Sequence, residues 1–175
     1  MELKNYIRTI PDFPKPGIMF RDVTTLFSDK VAFSAMVNEF KKLWEGVDID
    51  YVAGIDARGF IIGGALAYSL NIGFVPIRKK GKLPFKTFEQ NYNLEYGTAT
   101  LEIHQDAFEP NAKILLIDDL IATGGTALAA VKLLQSLDAD IIGASFLVDL
   151  PDLFGSSALV SNGVSVKSIC TFDGH

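Results

Sequence analysis

Cysteine occurs once in these 175 residues, tryptophan once and histidine twice. A lone Cys170 excludes an intramolecular disulfide and any Cys-x-x-Cys metal clip, so neither a disulfide scaffold nor a zinc ribbon holds this chain together. Such cysteine usage fits a reducing compartment, and the cytoplasm is the expected location. His104 and His175 are far apart and belong to no metal-ligand spacing, so each is expected to be structural or superficial. No Ser-His-Asp order suggests covalent hydrolysis. Apolar runs fall short of the ~20 residues of a membrane span, and the N-terminus has no apolar stretch suited to a signal peptide. No membrane contact is expected. Positive charge is also scarce: 16 Lys and Arg stand against 21 Asp and Glu, leaving −5. That balance argues against a nucleic-acid partner but leaves local basic clusters free to hold a small anion.

Hydrophobic residues, by contrast, make up 49% of the chain and charged residues 21%. That is enough apolar surface for a substantial core, and the length suits one domain over residues 1–175. Residues 11–20 hold three prolines and a glycine and are expected to form a rigid, irregular arm. Ser28 is the expected N-cap of a helix in which Phe33, Met36, Val37, Phe40 and Trp44 recur on one face as core. Tyr51–Ile55, Phe74–Ile77, Lys113–Ile117, Ile141–Val148 and Val164–Ile169 have the composition of strands. Helical patterns fall over Phe60–Leu70 and from Ala127 through Leu137. Residues 98–103 alternate polar and apolar, as a half-buried strand does. Residues 84–97 have no clean period and fit either two short strands or a flap, and 155–163 look like a turn region. Strands alternating with helices imply an α/β fold with a mostly parallel central sheet flanked by helices. In such sheets ligands bind at the rim of the strand C-termini.

The richest stretch is 114–126, Ile-Leu-Leu-Ile-Asp-Asp-Leu-Ile-Ala-Thr-Gly-Gly-Thr. Four apolar residues run into two carboxylates, then a Thr- and Gly-rich turn, then a helical pattern. Gly124 and Gly125 let backbone amides close around a phosphate, Thr123 and Thr126 add hydroxyls, and the helix adds its positive end. Asp118 and Asp119 suit adjacent sugar hydroxyls or a hydrated Mg²⁺. The Walker lysine is missing, so this is not an ATPase loop. Thr-Gly-Gly-Thr alone is most often a mere turn and cap; the carboxylates after a buried strand give it chemical meaning. Arg58, in Asp56-Ala57-Arg58-Gly59, offers a guanidinium to pyrophosphate or, as readily, to a surface ion pair. The basic run from Arg78 through Lys82 can neutralise a leaving pyrophosphate or simply be solvated. Glu95, beside Tyr96, can exchange a proton with a heterocyclic base or be an ordinary surface carboxylate.

Residues 114–126 resemble the 5-phosphoribosyl-1-pyrophosphate motif of the type I phosphoribosyltransferases. Four further blocks, Pro11–Asp22, Ala57–Phe60, Arg78–Pro84 and Leu94–Gly97, resemble the adenine-specific branch of that family. The resemblance implies a single-domain type I phosphoribosyltransferase fold with an N-terminal base-binding hood over residues 1–30 and a flexible flap over 79–95. It implies transfer of the phosphoribosyl group to adenine, giving AMP and pyrophosphate in purine salvage, with Mg²⁺ as cofactor and a homodimer as the assembly. By the same resemblance Asp118 and Asp119 meet the ribose hydroxyls, and Ala122, Thr123, Gly124, Gly125 and Thr126 cradle the 5-phosphate. Arg58 binds pyrophosphate beside a non-proline cis peptide. Arg78, Lys80, Lys82 and Tyr96 join the substrate contacts, Lys80 and Lys82 across the dimer. Met19 and Arg21 read the base with their backbones while Ile18 and Phe20 shape an apolar slot. Glu95 manages the proton on adenine. Around Asp149-Leu150-Pro151 the chain departs from the family's usual Glu-Leu-Pro, which leaves its C-terminal segment unassigned. Two alternatives share the phosphate loop: a hypoxanthine or guanine phosphoribosyltransferase, which the Pro-rich arm disfavours, and a non-catalytic nucleotide-sensing regulator, which the flap and Glu95 disfavour.

Overall fold

The computed structural model describes residues 1–94 and 97–175. Seven strands form one sheet in the order β5-β6-β4-β3-β7-β8-β9: β3 (Tyr51–Ile55), β4 (Gly73–Lys79), β5 (Thr87–Leu94), β6 (Gly97–His104), β7 (Lys113–Ile121), β8 (Asp140–Asp149) and β9 (Val166–Thr171). The five strands β4-β3-β7-β8-β9 are parallel; β5 and β6 add an antiparallel hairpin at one edge. Central parallel strands are covered on both faces, which is why β7 opens with four consecutive apolar residues, Ile114 through Ile117, all fully buried. Alternate side chains serve opposite layers. Ile114 and Leu116 join Ala127, Ala130 and Leu134 of α4 (Gly125–Ser136), whereas Leu115 and Ile117 join Met36 and Phe40 of α2 (Lys30–Leu43) and Ile62 and Leu66 of α3 (Arg58–Leu70).

The topology opens a crevice. From β3 the chain crosses by α3 to β4 on one side, and β7, on β3's other side, crosses by α4 away to β8. The connections leaving β3 and β7 therefore diverge, the switch-point arrangement at which open α/β sheets bind ligands. In addition, β7 outruns its neighbour. The β3–β7 pairing ends at Gly54 opposite Ile117, while β7 continues alongside β8 to Ile121. Asp118 and Asp119 thus belong to the strand itself, at the point where one flank lies open.

Several local expectations are revised. The Pro-rich arm is not wholly irregular: β1 (Arg8–Pro11) and β2 (Met19–Asp22) pair antiparallel around a turn with a cis Phe13–Pro14 bond. The N-cap of α2 is Asp29, whose carboxylate accepts from the Val31 and Ala32 amides at 2.9 Å, while Ser28 ends a short helix α1 (Thr24–Ser28). A one-residue shift is easily made where two capping residues are adjacent. Among the described residues of 84–97, Thr87–Leu94 form the single strand β5 and Gly97 opens β6, so the range does not hold two short strands. Residues 155–163 contain a helix, α5 (Gly155–Ser161), whose Leu159 is fully buried; tertiary packing overrides the Gly and Ser propensities there. Alternation in β6 fails at Glu102, which is buried because its carboxylate accepts the Lys82 and Leu83 amides at 3.0 and 2.8 Å.

Asp22 anchors the base of the arm. It accepts from Thr24 Oγ1 at 2.6 Å and from Arg8, and the Thr24 hydroxyl, then Arg8, hold its carboxyl down at about 2.

Candidate active site

Two cavities adjoin at the C-terminal end of β7. The smaller, about 290 Å³, is walled by the β3–α3 turn, by Asp118 and Asp119, and by the turn Ala122–Gly125 entering α4. Gly124 has φ +89°, a backbone conformation that suits glycine, and it caps α4, so the first turn of that helix, Gly125–Ala127, lines the cavity. Its back is supported by Gly155: the Gly155 amide donates to the Ala122 carbonyl at 3.0 Å, and a Cβ on Gly155 would lie 2.3 Å from that oxygen. Tyr92 of β5 and Lys79 of β4 close the cavity from the hairpin side.

The larger cavity, about 640 Å³, is mostly apolar and runs from the arm hairpin to the segment after β8. Ile18, Met19, Phe20 and Arg21 form one wall, Leu120, Leu150 and Leu153 another, and His175 a third. Phe20 is set by an edge-on contact with Phe13, ring centroids 5.1 Å apart. Arg58, Asp119, Leu120, Ala122 and Thr123 line both cavities and form the partition between them.

Electrostatics concentrate on that partition. Arg58 Nε donates to Asp119 Oδ2 at 2.5 Å. Burial works against the Arg58 charge, but the bond to Asp119 and the nearby Asp118 outweigh it, so its pKa is raised and it stays a cation. Asp118 lies half-buried, and its Oδ1 accepts the Asp119 amide at 2.8 Å. Desolvation first, and the charge of Asp119 second, push its carboxyl well above the ordinary carboxylate range. Close packing of α3 onto β7 contributes: a Cβ on Gly59 would come within 3.0 Å of Asp118 Oδ1. The peptide Asp56–Ala57, which turns β3 into α3, is cis.

Comparison with known proteins agrees with this geometry. Residues 34–155 match the model of the phosphoribosyl transferase domain. The adenine phosphoribosyltransferase of Bradyrhizobium sp. (strain ORS 278) is 57% identical over 175 residues, covering 100% of this chain and 98% of that protein. The chain belongs to the adenine phosphoribosyltransferase family. The crystal structure of the Thermoanaerobacter pseudethanolicus adenine phosphoribosyltransferase superposes with a TM-score of 0.94 at 45% identity, covering 98% of each chain. The Saccharomyces cerevisiae adenine phosphoribosyltransferase, solved with adenine and an imino-altritol bisphosphate, gives 0.91 at 36% identity, covering 97% of each chain. The fold is therefore the type I phosphoribosyltransferase fold.

For an adenine phosphoribosyltransferase family member, the structure distributes the expected residues unevenly. Asp118, Asp119, Arg58 and Ala122 through Thr126 all line the small cavity, and Met19, Phe20 and Arg21 line the large one. Arg21 turns its guanidinium to Thr9 Oγ1 at 2.6 Å and over the Phe172 ring. Arg78 lies outside both cavities: its Nε donates to Asp56 Oδ2 at 3.1 Å, tying the ends of β3 and β4 together. Lys80 and Lys82 also lie outside both; Lys80 Nζ pairs with Glu89 at 3.1 Å. Glu95 and Tyr96 fall outside the described residues. Lys79, Tyr92, Leu150, Leu153 and His175 also line the cavities, and Gly155 packs behind the Ala122 carbonyl, beyond the residues expected from sequence. Lys79 and Tyr92 fall within the expected flap over 79–95, whereas Leu150, Leu153, Gly155 and His175 come to the site only through tertiary contact.

No group of three or more His, Cys, Asp or Glu side chains capable of holding a metal occurs among the described residues. The donors on offer are the two carboxylates Asp118 and Asp119, one of them already engaged by Arg58. That set fits Mg²⁺ carried mainly by substrate oxygens and water rather than by a protein cage.

Proposed function

We propose that this chain transfers the 5-phosphoribosyl group of 5-phosphoribosyl-1-pyrophosphate to adenine, releasing AMP and pyrophosphate in purine salvage. The observation that carries this reading is the pair of cavities with one shared wall. One is polar, with a helix N-terminus and a guanidinium suited to phosphates; the other is an apolar slot of a size and lining suited to a flat heterocycle. A bond made between their occupants forms at the partition, beside Arg58 and Asp119.

In this mechanism adenine N9 attacks ribose C1 as the C1–oxygen bond to pyrophosphate breaks, positive charge develops on the sugar, and the N9 proton passes to Glu95. Asp118 and Asp119 fix the ribose hydroxyls, and the Ala122–Thr126 turn holds the 5-phosphate with backbone amides and hydroxyls. Arg58 stands where charge collects on the departing pyrophosphate. Mg²⁺, when bound with the substrate, supplies further neutralisation of the phosphate oxygens. Residues 1–30 act as the hood over the base, and residues 79–95 as the flap over the reacting sugar, excluding water from C1. Lys79 already lines the phosphate side; Lys80 and Lys82 reach pyrophosphate from the flap, across a homodimer. Along α3 the half-exposed Ile61 and the 89% exposed Tyr68 lie two helical turns apart, apolar surface that fits burial by a second copy. No helix among the described residues is long and apolar enough to cross a membrane, and we place the reaction in the cytoplasm.

Adenine is favoured over 6-oxo purines by the edge of β2. Alternate residues of an antiparallel strand direct both backbone groups away from the partner strand. Met19 does so, since its amide donates away from β1, and Arg21 lies two residues on. The Met19 carbonyl and Arg21 amide thus offer acceptor then donor, complementary to the adenine amino group and its neighbouring ring nitrogen. Hypoxanthine presents the reverse order and meets two like-sense contacts.

A purine panel read by released pyrophosphate, with and without Mg²⁺, tests the assignment. Adenine should turn over at least ~100-fold more efficiently than hypoxanthine or guanine. Tight binding with no turnover of any base would instead support a nucleotide sensor. Glu95→Gln should slow adenine turnover under single-turnover conditions; an unchanged chemical step would take Glu95 out of proton transfer.

A further inference from the structure

The segment after β9 has no role in the reading above, yet it reaches the base cavity. Phe172 is buried, with Lys4 Nζ 4.5 Å and Arg21 Cζ 4.3 Å from its ring centroid, and its amide donates to the Asp149 carbonyl at 3.1 Å. Two residues on, the Gly174 amide donates to Asp152 Oδ2 at 2.7 Å. The His175 carbonyl then accepts the Met19 amide at 3.0 Å, and His175 lines the cavity itself. The strap is thus fixed at Phe172, Gly174 and His175, and at His175 it meets the edge of β2 that borders the base cavity.

We propose that residues 173–175 complete the base subsite and sharpen its selectivity, by engaging the Met19 amide and walling the slot. The proposal rests on the adenine-transfer reading and deepens it. Along the β2 edge the polar groups run Met19 N–H, Met19 C=O, Arg21 N–H. With the first donor committed to His175, the base meets an acceptor followed by a donor, the order adenine complements. Freed from the strap, Met19 N–H becomes a second donor beside that acceptor. A 6-oxo group, which accepts hydrogen bonds, would then find a partner by a small shift along the strand. Loss of the strap also takes from β2 the backbone bond it makes outside its own hairpin and opens the apolar slot to water, which weakens adenine itself.

The test is a chain ending at Phe172, which keeps the ring between Lys4 and Arg21, assayed beside Asp152→Ala and Asp152→Asn. Initial rates give separate KM values for adenine and for 5-phosphoribosyl-1-pyrophosphate. The shortened chain should raise the adenine KM about fivefold or more while moving the other by less than about twofold. Its kcat/KM ratio of hypoxanthine to adenine should rise, and the Met19 amide should exchange hydrogen faster. Asp152→Ala should shift the adenine KM in the same direction, with Asp152→Asn, which keeps an acceptor for Gly174, restoring most of it. An unchanged adenine KM in the shortened chain, or equal rises in both KM values, would overturn the proposal. A full-length chain inert toward adenine would instead overturn the reaction assignment.

Discussion

The two cavities are built on opposite plans. The phosphate side is built mainly from one short stretch of chain, the end of β7 and the turn into α4, with the β3–α3 turn, Lys79 and Tyr92 around it and Gly155 behind it. The base side gathers Met19–Arg21, Leu120, Leu150, Leu153 and His175 from remote parts of the sequence. One site is mostly local because it sits at the end of β7, whose Ile114–Ile117 are fully buried. The other depends on a hairpin arm and a C-terminal strap holding each other in place. The difference predicts that damage on the phosphate side will show mainly in phosphoribosyl-pyrophosphate kinetics, and damage on the base side mainly in adenine kinetics.

The largest effect should come from Arg58→Ala, which removes the cation at the partition. kcat/KM should fall about 100- to 1000-fold, as measured by steady-state pyrophosphate release. Next is Gly155→Ala. Its Cβ would lie 2.3 Å from the Ala122 carbonyl and 2.9 Å from the Gly124 amide nitrogen, so the cradle must move. Thermal unfolding should show a loss of about 1–3 kcal/mol, and KM should rise more for the phosphoribosyl donor than for adenine. Phe20→Ala is the mirror case: an aromatic wall of the base slot is lost, and the adenine KM should rise about tenfold with the donor KM little changed. A matching rise in both KM values for either variant would break the division.

The smallest effect has the opposite sign. Asp118 keeps its proton more tightly in the folded chain than in the unfolded one, because burial and Asp119 penalise its charge. Folding is therefore progressively disfavoured as pH rises above the ordinary carboxylate range. Asp118→Asn should raise Tm at neutral pH, the gain over wild type vanishing at low pH, while weakening donor binding by calorimetry in Mg²⁺. A lower Tm at neutral pH would show that the carboxylate is net stabilising where it stands.

The same contrast explains what could be read from residues alone. Buried parallel strands announce themselves as unbroken apolar runs, and a phosphate turn between strand and helix is a contiguous pattern; both were legible in 114–126. The order of β3 and β7, which sets the crevice, follows from alternating strands and helices only as far as fold class. Helix α5 was hidden because Gly155, Ser156 and Ser157 favour turns, and only packing of Gly155 on the cradle and Leu159 in the core makes it a helix. Glu102 escaped because a charged residue in an alternating strand points to solvent unless something covers it; here the Lys82 and Leu83 amides do. Arg78 carried the right charge for a phosphate, yet Asp56 lies 3.1 Å away and engages it. His175 had no signal in its vicinity, since its carbonyl rather than its imidazole meets Met19.

Arg58 stands in the doorway between two rooms and belongs to both. On the proposed assignment both substrates meet the same guanidinium and the carboxylate that holds it. No substitution at that position can be read as a change toward one substrate alone, and an inhibitor that engages it from either side will be felt on the far one.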